Sequence, residues 1–252
     1  MKIVRRKKET SSTRGPRLLL MLGFAAAMMP AGSVLAQGGQ AATGGSIEKR
    51  VAACTACHQA RDQVTRDGYF PRIAGKPATY LYNQLLNFRE GRRHYPPMTW
   101  MVSQLSDDYL REIAHYFSNL HAPYPPPQPA PVPPATLERG RGLALQGDAA
   151  RKLPACTACH GEQLTGVAPA VPALLGLPRD YLNAQFGAWR NGARHAQEPD
   201  CMAQLARTLT EEDILAVTAW LSSQPVPGAG EPAKSFAAPL PLQCGGVPGS
   251  GK

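Results

Sequence analysis

The chain has 252 residues, with 27 Lys or Arg against 18 Asp or Glu and a formal charge of +9. Seven of the basic residues and one acidic residue precede residue 37, so the remainder holds 20 and 17 and is only about +3. That near-balance gives no reason to expect nucleic acid as a partner.

At the start of the chain, residues 2–17 are basic, 18–29 apolar, and the small residues of SVLA end at Ala36. This is the order of an export signal, and residues 1–36 are expected to be cleaved, leaving a periplasmic protein. The competing reading, an uncleaved anchor, meets an apolar run shorter than the roughly 20 residues a bilayer span requires.

A short helix is expected over residues 46–57, leading into the pentapeptide CTACH at residues 54–58. A second helix is expected from about Thr79, stopping at Gly91, which can take a left-handed capping conformation. A third is capped by Ser106, with Leu110, Ile113 and Phe117 at helical spacing. Residues 121–135 then carry eight prolines. Such a run denies helix and ladder hydrogen bonds and reads as an extended, semi-rigid linker.

Beyond the linker the pattern repeats. A helix is expected over 136–147, CTACH returns at 156–160, a helix runs from about Asp180 to Gly192, and Thr210 caps a last one with Ile214, Val217 and Leu221 on its apolar face. PRIAGKPATYLYNQLLNFREGRRH (71–94) aligns without a gap to PALLGLPRDYLNAQFGAWRNGARH (172–195), pairing Tyr80 with Tyr181, Gln84 with Gln185 and Arg93 with Arg194. A second stretch pairs Met98 with Met202 and Leu105 with Leu209. The domains expected are therefore 46–120 and 136–224, joined by a linker over 121–135 and followed by a Pro- and Gly-rich tail over 225–252. No alternating strand pattern is present, so the fold expected is mostly α. Units this small need a staple or a large internal group to complete a core.

C-x-x-C-H is the attachment signature for c-type haem. Two thiols on one helical turn reach the vinyl groups, and the adjacent imidazole becomes the proximal iron ligand. Three rivals compete: a thioredoxin-like pair, a zinc site of four thiolates, and a simple disulfide within each motif. The zinc and disulfide readings leave both histidines unexplained, and the thioredoxin reading lacks its βαβ context. The cofactors expected are two covalent haems on Cys54, Cys57, Cys156 and Cys159, with His58 and His160 as proximal ligands. Met98 and Met202, 40 and 42 residues after those histidines, are the expected distal ligands. Met101 aligns with Leu205 instead, and is expected to pack.

With these residues on the page, the chain resembles a di-haem cytochrome c of the cytochrome c4 type over most of residues 46–224. The resemblance implies two tandem class I cytochrome c domains about a pseudo-twofold axis, joined by the Pro-rich linker. It also implies that the carbonyls of Pro71 and Pro172 accept hydrogen bonds from the proximal imidazoles. The function implied is relay of single electrons between a respiratory donor, such as a quinol-oxidising complex, and a haem-copper terminal oxidase. The protein is then an electron carrier and not itself an enzyme. The rival is a cytochrome subunit held on a periplasmic or membrane dehydrogenase, with peripheral membrane association open. A di-haem peroxidase ranks below both, since it needs an iron with a displaceable sixth ligand.

Three features depart from the family pattern: Gln59 where the second motif has Gly161, Cys201 immediately before Met202, and the C-terminal tail. In an oxidising compartment the two remaining cysteines, Cys201 and Cys244, are expected to pair. Arg89, Arg93, Arg190 and Arg194 recur at matching positions and are candidates for a haem propionate or the interdomain surface.

Overall fold

The computed structural model describes residues 45–58 and 70–250; the expected export signal and Gln59 lie outside them. The first domain contains α1 (Ile47–Arg50), α2 (Ala52–His58), α3 (Ala78–Arg89), α4 (Pro96–Val102) and α5 (Asp107–Ser118). The second contains α6 (Pro134–Leu145), a 3₁₀ turn (Ala149–Arg151), α7 (Thr157–His160), α8 (Arg179–Arg190), α9 (Cys201–Thr208) and α10 (Glu211–Ser223). Among the described residues, backbone pairing of the β kind is confined to isolated bridges. The fold is mostly α, as two tandem class I cytochrome c domains.

Local signals account for most helix ends. Ser106 accepts a hydrogen bond from the Tyr109 amide at the start of α5, and Thr210 and Asp213 form a reciprocal capping box on α10. Gly91 and Gly192 adopt φ of 76° and 80° just past α3 and α8, where a Cβ would be strained. The expected helix at 46–57 is interrupted at Val51, whose side chain is wholly buried in the first core. Pro134 and Ala135, expected in the linker, instead open α6, because a proline in the first turn loses no helical bond.

In the second domain, α6 crosses α10 at close range. A Cβ added to Gly140 would lie 2.6 Å from the carbonyl carbon of Ala216 and collide with its oxygen. Gly140→Ala should therefore destabilise the protein by about 1–3 kcal/mol through overpacking, read as a lower denaturant midpoint with an unchanged slope.

Asp213 binds the two helices further. Fully buried, it accepts from Arg139 Nε at 2.9 Å and from Arg151 Nη1 at 2.5 Å, tying α6 and the 3₁₀ turn to α10. The aligned residue in the first domain is Tyr109, whose hydroxyl donates to the Arg50 carbonyl at 2.8 Å. The two halves thus close the same helix junction with different chemistry.

The linker and the tail both pack against the domains, and the expected Cys201–Cys244 pairing is present. Arg72 donates to the carbonyls of Ala122 and Pro123 at 2.7 and 2.9 Å and stacks on Tyr124, while the Gln128 amide reaches Ser222 O at 2.9 Å. The proline segment is therefore strapped across both domains. The tail starts with a backbone pair between Ala233 and the 166–168 loop, at 2.8 and 2.9 Å. It continues to a disulfide joining Cys244 to Cys201, with Cα atoms 5.2 Å apart.

Candidate functional site

Both CTACH segments end in a helix whose last residue is the histidine. His58 Nδ1 lies 3.0 Å from Pro71 O, and His160 Nδ1 lies 2.8 Å from Pro172 O. A carbonyl oxygen can only accept, so each Nδ1 carries the proton and each Nε2 keeps a lone pair for a metal. Burial pushes both imidazoles below their ordinary value, outweighing the carbonyl bond. The neutral, ligating form is thereby favoured.

The four motif cysteines are unbridged. Burial raises the Cys54 and Cys159 thiols and pushes Cys156 up to about 12. These surroundings are the reverse of those that activate a redox thiolate. Among the described residues no three His, Cys, Asp or Glu side chains converge as a metal cluster, so the four-thiolate zinc alternative is not assembled. Neither finding supports the thioredoxin-like or the four-thiolate zinc alternative.

In the second domain Cys156, Cys159, His160 and Met202 line one cavity with Leu182, Phe186 and other apolar side chains. Trp189 Nε1 is buried without an acceptor and its ring lines the same cavity. An apolar wall with one unsatisfied donor suits a flat hydrophobic group that carries carboxylates, and the residues present fit a haem. In the first domain Cys54, Met98 and Met101 all pack against the core of Val51, Leu81, Leu110 and Phe117. Met98 is on α4 and Met202 on α9, two short helices that periodicity does not predict. The proline pair Pro96–Pro97 and the Asp200 cap are the signals that mark their starts.

The repeated arginines divide. Arg89 pairs with Asp107 at 2.6 Å, and Arg190 lies 4.0 Å from Glu211. Arg93 and Arg194 meet instead at the domain seam. Arg93 donates to Gln84 and Gln185 at 2.9 and 2.7 Å, and Arg194 donates to Gln185 and Gln84 at 2.7 and 3.2 Å. The backbone follows the same reciprocity, His94 N to Ala193 O at 2.7 Å and His195 N to Arg92 O at 2.6 Å. Aligned residues contacting one another in this exchanged way give the seam its pseudo-twofold character. Arg93 and Arg194 also stack on Phe88 and Trp189, so planar guanidinium is used here in a way lysine could not replace. Beside them, burial holds the Lys76 ammonium down to about 8, with Arg72, Arg194 and Arg93 adding to the effect against the opposing influence of Tyr181. Lys76, Tyr80, Asn83 and Asn87 of the first domain line the cavity of the second.

A Cytochrome c family model matches residues 138–225. The chain is 37% identical over 188 residues to the thiosulfate dehydrogenase electron acceptor of Thiomonas intermedia, covering 74% of this chain and 83% of that protein. It is 32% identical over 206 residues to cytochrome c4 of Pseudomonas aeruginosa, covering 81% and 94%. Among solved structures it matches thiosulfate dehydrogenase (TsdBA) from Marichromatium purpuratum with a TM-score of 0.61 and 32% identity, over 68% of this chain and 36% of that longer one.

Proposed function

The chain belongs to the cytochrome c family as a di-haem electron carrier of the cytochrome c4 type with two covalent c-type haems, and from that premise we propose that it receives single electrons from a periplasmic dehydrogenase acting on thiosulfate. The observation that carries the carrier role is the matched pair of imidazoles, each fixed as the Nδ1–H tautomer by a proline carbonyl. Similarity to electron acceptors of thiosulfate dehydrogenase supports the choice of donor.

When bound, each haem supplies reversible one-electron chemistry at its iron. Cys54 and Cys57 hold the first macrocycle and Cys156 and Cys159 the second, as thioethers. His58 and His160 present Nε2 on the proximal side, and their Pro71 and Pro172 bonds keep the rings oriented and basic. Met98 and Met202 would supply thioether sulfur to the irons, a soft ligand that favours the reduced state. With His58 and Met98 holding the first iron and His160 and Met202 the second, neither centre would offer a place for a substrate, which supports the carrier role over an enzymatic one. Residues 1–36 direct it to the periplasm, where the redox poise also permits the Cys201–Cys244 bridge.

The test is reduction in solution. Oxidised protein mixed with purified thiosulfate dehydrogenase and thiosulfate should develop the reduced-haem absorption bands at both centres, and neither component alone should produce them. No reduction by the dehydrogenase, with rapid reduction by a quinol-oxidising complex, would return the protein to a respiratory shuttle feeding a haem-copper oxidase.

A further inference from the structure

The tail has no counterpart in the repeat, yet it enters the second cofactor cavity. Leu240, Leu242, Cys244 and Val247 line that cavity together with His160 and Met202. Three links hold this stretch in place. Cys244 is bridged to Cys201, the residue before Met202. The Gly245 amide donates to Pro199 O at 2.9 Å, in contact so close that a Cβ on Gly245 would lie 2.6 Å from the Glu198 carbonyl carbon. Asn83 of α3, in the first domain, donates to Gly246 O at 3.0 Å. Asp200 secures the same corner, accepting from the amides of Ala196 and Ala203 at 2.7 and 3.0 Å.

The first domain is built otherwise. Its chain past α5 becomes the linker, which runs to Arg72, Ser222 and Arg179. The residue before Met98 is Pro97, and α4 has no side-chain cap.

We propose that residues 240–247 are a positioning wall for the second haem: they hold the Met202 corner against the cavity and exclude water from the distal side. This inference rests on Met202 being the distal ligand. Its physical basis is twofold. A bridge closing 43 residues removes freedom from open states of the corner. Apolar side chains at the cavity edge lower the local dielectric, which disfavours the oxidised centre with its extra positive charge. The second centre is then the more tightly closed of two otherwise similar sites.

Imidazole, which competes with methionine for ferric iron, is the probe. In the full chain carrying Cys201→Ser and Cys244→Ser, imidazole should bind the second centre at least about tenfold more tightly than in the parent, the factor that about 1.4 kcal/mol of lost local stability gives. The first centre should be unchanged, an internal control that a general loss of stability would not respect. Leu242→Asp, with the bridge intact, should lower the midpoint potential of the second centre alone. Mass should show two haems in both variants. If the serine pair binds imidazole as the parent does and Leu242→Asp leaves both potentials in place, the wall is overturned. Met202→His separates this from the assignment beneath it. If that change fails to remove the second centre's sulfur-to-iron band, the ligand assignment fails. If it removes the band while the tail variants stay silent, only the wall does.

Discussion

Met202→His is expected to keep the second haem attached while lowering its midpoint potential by on the order of 0.1 V or more, within the ~0.8 V range that axial ligands span. Attachment depends on Cys156 and Cys159, which the substitution does not touch. The proximal side depends on His160 and its Pro172 bond, 2.8 Å long. On the proposed assignment of Met202 as ligand, the donor changes from a soft thioether to an imidazole that stabilises the ferric form better. Half of the near-infrared sulfur-to-iron absorption should vanish, and Met98→His should remove the other half. A potentiometric titration of each variant should show one centre displaced and the other in place. Met101 packs in the first core beside Met98, so Met101→His is the decisive control. If it moves the first potential and Met98→His does not, the distal ligand there is Met101.

Asp213→Ala is expected to be the most destabilising of the substitutions considered, by roughly 3–5 kcal/mol. The carboxylate has no exposed surface, and its removal leaves Arg139 and Arg151 without their shared partner and α10 without its capping box. A loss of that size corresponds to a fall of about 6–20 °C in the melting temperature of a domain pair this long. The effect also carries a pH signature. Burial alone would push the Asp213 carboxyl up, but Arg151, the Thr210 amide and Arg139 outweigh it and hold the group at about 2, below the ordinary 3.8. A depressed acid contributes stability above its unfolded value and loses it as pH falls through the folded one. The contribution, roughly 2 kcal/mol, should be complete above about pH 4 and fade toward pH 2. Thermal melts of the parent and Asp213→Asn should therefore converge over that window. A gap that stays constant to pH 2 would assign the loss to packing alone.

Much of the site is legible in the sequence because its determinants are local or repeated. The cysteine pair and histidine of each CTACH lie within two helical turns. Ser106 and Thr210 cap their own helices, and Gly91 and Gly192 end theirs through a backbone preference carried by one residue. The two aligned stretches paired Arg93 with Arg194 and Met98 with Met202 from sequence alone.

What one-dimensional pattern could not decide was where segments without periodicity would go. The proline run and the tail carry no helical or alternating code, and composition gives them the character of linkers. The Cys201–Cys244 bridge was expected from the two cysteines left over, but the other anchors are contacts between residues far apart in the chain: Arg72 on Tyr124 and Asn83 on Gly246. The burial of Asp213 was hidden for a similar reason, since an acid in the first turn of a helix reads as a surface cap until two arginines from other elements enclose it. The sequence by itself determined the two haem-binding units and their symmetry, because those rest on short-range chemistry written twice. Only the tertiary structure decided how the tail, beyond that expected disulfide, lies along the second unit, because this depends on hydrogen bonds and close approaches whose partners are chosen by the packing of the whole chain.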